Sequence, residues 1–532
     1  MSSDNRSRRG FLRTATAGIA AAGIFAAPLA GHAEVPAAAN GNSFNVIEFG
    51  AKADGRTVDS PAVNRAIAAA ASAGGGTVFF PAGTYLCYSI RLQSKVTLEF
   101  SPGVTVVAAD ASAGGSYDAA EPNQPWEDLQ DYGHNHWHNS LIWGEGLENI
   151  SIVGPGLIWG KGLSSGREQE LPKAELPGVG NKTISLKNCH NVLLRDFAVL
   201  HGGHFAVLAT AVDNLTIDNL TIDTNRDGID IDCCHNVHIS KCSVNSPWDD
   251  AIVPKSSYAL GYSRSTEMVT ISDCLVTGNF EEGTLLDGTC MPIPESAKRY
   301  RTGRIKLGTE SNGGFKNITI TNCVFDGCHG LALESVDGAI LEDVTISNIT
   351  MRHIFAAPIF IRLGSRMRGP AGVPAGKIRR VRISNVVCSD ATSAVSSIIS
   401  GVPGHAIEDL KLYDITIQHQ GGGTREMAEL QPPENETNYP DPEMFGSMPA
   451  HGFFIRHVDG LEIRDVEIMA QKEDLRPAFV LNDVRRAEFF HVQTPKTAGA
   501  PTFSLQNVED FSVARCRTVP DTQIDKAEKK KL

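Results

Sequence analysis

The feature that most limits what this chain can fold into is a recurring phrase, a turn residue followed by a short alternating strand. Asn149-Ile150-Ser151-Ile152, Asn191-Val192-Leu193-Leu194, Asn214-Leu215-Thr216-Ile217, Asn236-Val237-His238-Ile239 and Asn317-Ile318-Thr319-Ile320 all share it, and later echoes begin at Asp343, Arg380, Asp409 and Gly460. From Val192 the next two repeats follow after 23 and 22 residues, and later steps lengthen as insertions enter between strands. Such a period marks a solenoid. The strands are bounded by Asn, Asp or Gly with no long amphipathic helix between them, which excludes a doubly wound α/β sheet and a TIM barrel. The pattern predicts an all-β chain, a parallel β-helix whose coils bury Val, Ile and Leu on their neighbours and expose the alternate residues. Aromatics are only 7% of the residues while glycine numbers 51, so small and β-branched side chains must fill the core. One short helix is expected early. Ser60 would cap it, Pro61 would take its first position, and the Ala-rich stretch Ala62 to Ala71 would cover the open edge of the first coil.

Residues 1–33 read as a removable export signal: Ser7-Arg8-Arg9-Gly10-Phe11-Leu12-Arg13, then an apolar stretch from Ala15 to Ala30, then small residues ahead of a cut before Glu34. The paired arginines resemble the twin-arginine signal, which implies the twin-arginine export machinery as a partner and a periplasmic or extracellular location. Residues 34–520 are expected to form one β-helix domain and 521–532 a solvated, charged tail. The formal net charge is −13, and the first 33 residues are locally +3, so the body is more acidic still. That balance excludes nucleic acid and anionic membranes as partners, since both are bound by clustered Lys and Arg. A solenoid of this length is expected to be a monomer. Of eleven cysteines, Cys189, Cys242, Cys274 and Cys323 occupy the same place in successive repeats and read as stacked small hydrophobes.

Residues 109–138, 163–181 and 420–449 interrupt the rhythm and are expected to overhang one face as loops framing a groove. The densest group of acids is Asn225-Arg226-Asp227-Gly228-Ile229-Asp230-Ile231-Asp232, followed one coil later by Trp248-Asp249-Asp250-Ala251-Ile252-Val253-Pro254-Lys255. Neighbouring strands are ~4.8 Å apart, so Asp227, Asp249 and Asp250 can converge with Lys255 beside them. Acids so crowded cannot all ionise cheaply, which leaves a proton donor next to carboxylate acceptors, as glycosidic cleavage requires. The same spacing also fits a calcium site or turn-capping aspartates. The alternating histidines His134 to His138 suggest a metal, but no acid or cysteine stands at ligand spacing in sequence, so no metal is expected. Trp126 and Trp137 would stack on sugars or pack the loop, and His201 and His204 are candidates to reach the groove.

These motifs, together with Phe49-Gly50-Ala51-Lys52-Ala53-Asp54-Gly55, Pro81-Ala82-Gly83-Thr84-Tyr85 and Gly154-Pro155-Gly156-Leu157-Ile158-Trp159-Gly160, resemble glycoside hydrolase family 28, the polygalacturonases and rhamnogalacturonan-cleaving enzymes. The resemblance, over roughly residues 45–480, implies a right-handed parallel β-helix that hydrolyses pectic polysaccharide or oligosaccharide with inversion and without a cofactor. By position it makes Asp249 the general acid and Asp227 with Asp250 the pair that activates water. The chain departs from the family twice. A Gly-His-Gly segment is expected before Gly308-Thr309-Glu310, where Thr302 to Leu307 holds no histidine. An Arg-Ile-Lys segment is expected at Gly330 to Ser335, where Ala332 and Glu334 replace both cations, so binding beside the scissile bond must differ. Strand alternation would turn Arg304 and Lys306 outward to the groove beside Lys255, as carboxylate clamps or as plain surface charges. Arg362, Arg366 and Arg368 are further candidates. Two other functions stay open: a polysaccharide lyase with Lys255, Arg304 or Lys306 as base, and a carbohydrate-binding β-helix without turnover.

Overall fold

The computed structural model describes residues 42–532 apart from 111–113, 167–172, 295, 298–299 and 393–394. The export signal read at 1–33 lies outside the described residues.

Residues 42–532 form one compact unit, a right-handed parallel β-helix. Each early coil uses three strands, as in Asp213–Asp218, Thr221–Asp223 and Asp227–Asp232. Inward residues stack in register from coil to coil: Val192 on Leu215, Leu215 on Val237, Val237 on Val269, Val269 on Ile318 and Ile318 on Val344. Fully burying each such side chain contributes about 1.5–3 kcal/mol, and the stack repeats it at every coil.

The turn asparagines explain the recurring phrase. Asn149, Asn191, Asn214 and Asn236 hold left-handed backbone, with φ of 56°, 56°, 56° and 57°. Asparagine tolerates that conformation better than other side chains. Their amides also form a ladder across coils: Asn191 donates to Asn149 at 3.0 Å, Asn214 to Asn191 at 2.8 Å and Asn236 to Asn214 at 2.7 Å. Asn214→Ala loses two of these bonds and strains the turn, so chemical denaturation should show a loss of about 1–2 kcal/mol. Asn214→Gly should cost less, because glycine accepts the positive φ.

Cys242, Cys274 and Cys323 stack one above another in neighbouring coils, and each of the three thiols donates to the carbonyl two residues before it. The early helix spans Ser60–Ser72 and packs Val63, Ala66, Ile67 and Ala70 onto the first coils. Its cap is one residue earlier than expected. The Asp59 carbonyl accepts from Ala62 and Val63, while the Asp59 carboxylate turns back to the amides of Lys52 and Ala53. The C-terminal segment also needs correcting: Thr522–Lys531 is a strand, antiparallel to Phe503–Ala514, and covers the last coil edge. Its lysines still face water, but Ile524 and Ala527 are buried and hold it down.

A second, six-stranded parallel sheet carries the acids. It runs through Ile90–Arg91, Ile142–Glu145, Lys182–Lys187, Phe205–Thr210, Asp227–Asp232 and Ile252–Lys255. Ile184, Val207, Ile229 and Ile252 stack inside. The outward alternates were expected to face water, yet all six residues of Asp227–Asp232 are buried. The loop within 109–138 lies over this face and packs Trp137 with Phe205, Leu208 and Ala259.

Candidate active site

Asp227 opens one strand of this sheet, and Asp249 and Asp250 lie in the turn leading to the next, so parallel pairing sets them side by side. One oxygen of each carboxylate lies within 4.8 Å of the others. Their surroundings differ sharply. Asp227 is buried and one of its oxygens has no hydrogen-bond partner; burial first, then the charges of Asp249 and Asp230, pushes its pKa well above the usual carboxylate range. Asp250 is equally buried, and burial alone would raise it too, but the Lys306 ammonium in contact with it and the Arg304 guanidinium at 2.9 Å hold it at about 2. Asp249 is the most accessible of the three, with 29% of its side chain exposed. It accepts from Arg226 at 3.3 Å and from the Asp250 amide at 3.0 Å. Arg226, which the sequence offered only as a residue within the acid motif, thus orients Asp249 and is itself anchored on the Ser165 carbonyl.

Lys255 stands beside this group, 4.0 Å from Asp227, but its main partners are Asp230 at 3.1 Å, Glu310 at 3.4 Å and His134 at 2.9 Å. Burial opposes its charge, and the surrounding carboxylates more than compensate, holding it firmly protonated. Asp230 is pushed up to about 7, chiefly by burial. Glu310, though buried, is held well below its usual range by Lys255. Asp230, Glu310 and His134 each stand in motifs the sequence singled out, but their meeting at Lys255 was not legible there, because they come from different coils and a loop.

Two expectations are corrected here. Arg304 and Lys306 do come to the site, but they are each only 2% exposed and engaged by Asp250, so they are neither free clamps nor surface charges. The segment where the resemblance calls for a histidine therefore supplies two cations to Asp250. Arg362 is not at the acids. It donates to Ser400 Oγ, to the Gly401 carbonyl and to the carbonyls of Glu434 and Asn435, because its guanidinium is buried under the 420–449 loop and finds its acceptors there. Arg366 is likewise bound to Asp337 at 2.9 Å, and Arg368 reaches the Leu129 carbonyl at 3.1 Å.

Glu334 is fully buried, 3.6 Å from Arg304, and neither oxygen has a hydrogen-bond partner. Burial raises its pKa to about 7 against the pull of Lys306 and Arg304. The folded protein therefore binds a proton that the unfolded chain releases at about pH 4.5, so stability falls as pH rises from there to about 7 and is level above. Glu334→Gln imitates the protonated form. Relative to the parent it should gain on the order of 2–3 kcal/mol between about pH 4.5 and pH 8, read by denaturation at both pH values.

The histidine run is resolved by tertiary contacts. His138 has acids beside it after all, Glu145 at 2.9 Å and Glu121 at 3.4 Å, the first seven residues on and the second within the same loop. His204 stacks on Phe205 and lines a cavity of about 380 Å³ with Asp131, Tyr132, Glu175 and Arg226. Trp137 is buried and donates to Thr210, and Trp126 donates to the Ala259 carbonyl, so both pack the loop. A larger cleft of about 610 Å³ around His457 and Asp483 shares no residue with the acids.

Two family models match parts of the chain: "Rhamnogalacturonase A/epimerase, pectate lyase-like" over residues 43–152 and "Right handed beta helix region" over residues 174–297. Among curated proteins, a probable polygalacturonase of Vitis vinifera is 24% identical over 331 residues, 58% of this chain and 61% of the relative. An exo-poly-alpha-D-galacturonosidase of Dickeya chrysanthemi is 22% identical over 407 residues, 66% of this chain and 62% of that one. The matched stretches thus span about three fifths of these relatives. Among solved structures, a family 28 exopolygalacturonase of Yersinia enterocolitica superposes with a TM-score of 0.60 at 18% identity, covering 83% of this chain and 78% of the other, a likeness of fold.

Proposed function

We propose that the chain is an exported glycoside hydrolase that cleaves α-galacturonosyl linkages of pectic polysaccharide or its oligosaccharides, polygalacturonase-like or rhamnogalacturonan-directed. The observation that carries this reading is the convergence of three carboxylates in different surroundings: one pushed toward its protonated form by burial, one held ionised by two buried cations and one accessible. In this reading the glycosidic oxygen meets Asp249. The proton resting on Asp227 passes to Asp249 as substrate covers the pair, and Asp249 gives it to the leaving oxygen. Water attacks the anomeric carbon and yields its proton to Asp227, while Asp250 stays ionised to hold that water. One C–O bond breaks, one forms, and the acids end with the proton count they began with. The loops beside the 380 Å³ cavity favour attack at chain ends.

Elimination is the weaker reading, because a lyase base must be neutral, and Lys255, Lys306 and Arg304 are each held protonated by buried carboxylates. The test is mass spectrometry of products from oligogalacturonides and rhamnogalacturonan oligosaccharides. Products that together exceed the substrate by one water support hydrolysis, and unsaturated products overturn it. Proton NMR of the first-formed reducing end should show the β-anomer, the product of inversion.

A further inference from the structure

We propose that Tyr439 is the platform on which a pyranose ring of the substrate stacks beside the acids, and that the buried Arg362 and Arg456 are positioning residues for the loop that carries it. This rests on the reading that the three carboxylates cleave a glycoside.

The loop is fixed as a wall, by an uncommon means. Arg362 and Arg456 are among the largest fully buried side chains of the protein. Arg362 donates to the carbonyls of Glu434 and Asn435 at 2.8 and 3.3 Å; Arg456 donates to those of Pro432 and Pro433 at 2.9 and 3.0 Å. Both guanidiniums lie over the Phe445 ring, at 5.3 and 5.4 Å. Phe445, Met448 and Ala450 are buried in turn against Phe360, Ile398 and Phe454. A guanidinium that is cut off from water must find acceptors for its N–H groups, and here the loop supplies them. Lifting the loop would strand two charges, so it stays down.

What this wall delivers to the cleft is Tyr439. Tyr439 is one of the exposed large side chains of the protein, 53% accessible. Thr309 Oγ1 donates to its hydroxyl at 3.0 Å, and the Arg366 guanidinium lies 6.0 Å from its ring. Lys306, Glu334, Asp249 and Asp250 are all within its electrostatic reach. An aromatic face left open at a site crowded with charge, with its hydroxyl tethered, suits the apolar C–H face of a sugar ring. On the other side of the acids, Arg226, which bonds Asp249, lines the 380 Å³ cavity.

The experiment measures binding by calorimetry in the Asp249→Asn background, with a galacturonate tetrasaccharide and a rhamnogalacturonan hexasaccharide as probes. Adding Tyr439→Ala should weaken the probe that the parent enzyme cleaves about 10- to 50-fold, whereas Tyr439→Phe should stay within about threefold. The melting temperature should not move, since the ring is half exposed. If the Ala variant binds as tightly as the parent while the parent cleaves the probe, the platform is overturned and the hydrolase reading stands. If no form binds or cleaves either probe, both fall. Arg362→Met should raise KM in the same direction without altering the pH profile of kcat, with partial rescue by Arg362→Lys; an unchanged KM removes the positioning role.

Discussion

Asp249→Asn should lower turnover by about 10³-fold or more while the protein stays folded and still binds its oligosaccharide. The loss is large because the proton that the leaving oxygen needs can come from no other accessible group at the site. Asp227 and Asp250 are buried behind it, and Asp250 is held ionised at about 2. The fold should tolerate the change because asparagine keeps the size of the side chain and its one carbonyl oxygen still accepts from the Asp250 amide, so that only the bond from Arg226, to the other oxygen of Asp249, is lost. Asp249 is also partly solvated, so its charge contributes little to stability. Reducing-sugar release gives turnover and calorimetry gives binding. Unchanged turnover would remove Asp249 from the role of general acid.

Asp250→Asn should abolish turnover as well, and unlike the neighbouring substitution it should also cost about 3–5 kcal/mol of stability at neutral pH. The difference lies in burial. Asp250 is 1% exposed and balances both Lys306 and Arg304, each 2% exposed. Without it two buried cations are left with Glu334, 3.6 Å from Arg304, as their remaining carboxylate. The folded pKa of Asp250 is depressed, so its contribution is fully present above the unfolded value near pH 4 and disappears as pH falls through about 2. Denaturation of parent and variant should therefore converge as the medium is acidified below about pH 4. A gap that stays constant down to pH 2 would mean that the cations are stabilised by something other than the Asp250 charge.

The coil repeat was legible because it is a local property. The turn asparagines and the alternating Val, Ile and Leu each act within a few residues, so periodicity alone exposes the solenoid and places its core. The acid triad was legible for a related reason: parallel register converts a spacing of one coil into direct contact, which brought Asp227 to Asp249 and Asp250. The partners of those acids were not legible in the same way. Alternation correctly turned Lys306 and Arg304 out of the core, but it says nothing about what covers the outer face of a sheet. There the loop within 109–138 buries Asp230 and brings in His134, and the opposite wall carries Tyr439.

Arg362 illustrates the limit most clearly. From sequence it was a cation on an outward position and hence a candidate for substrate; in the structure the loop carbonyls of Glu434 and Asn435 claim it. The C-terminal lysines were read as a solvated tail because their charge dominates the composition, while two buried apolar residues, Ile524 and Ala527, were enough to make the segment a strand. The sequence by itself determined the solenoid, its core and the three acids, since periodic burial and register depend on residues one coil apart. Tertiary structure alone decided which cation balances which acid, because burial and ion pairing depend on loops that cross several coils and follow no period.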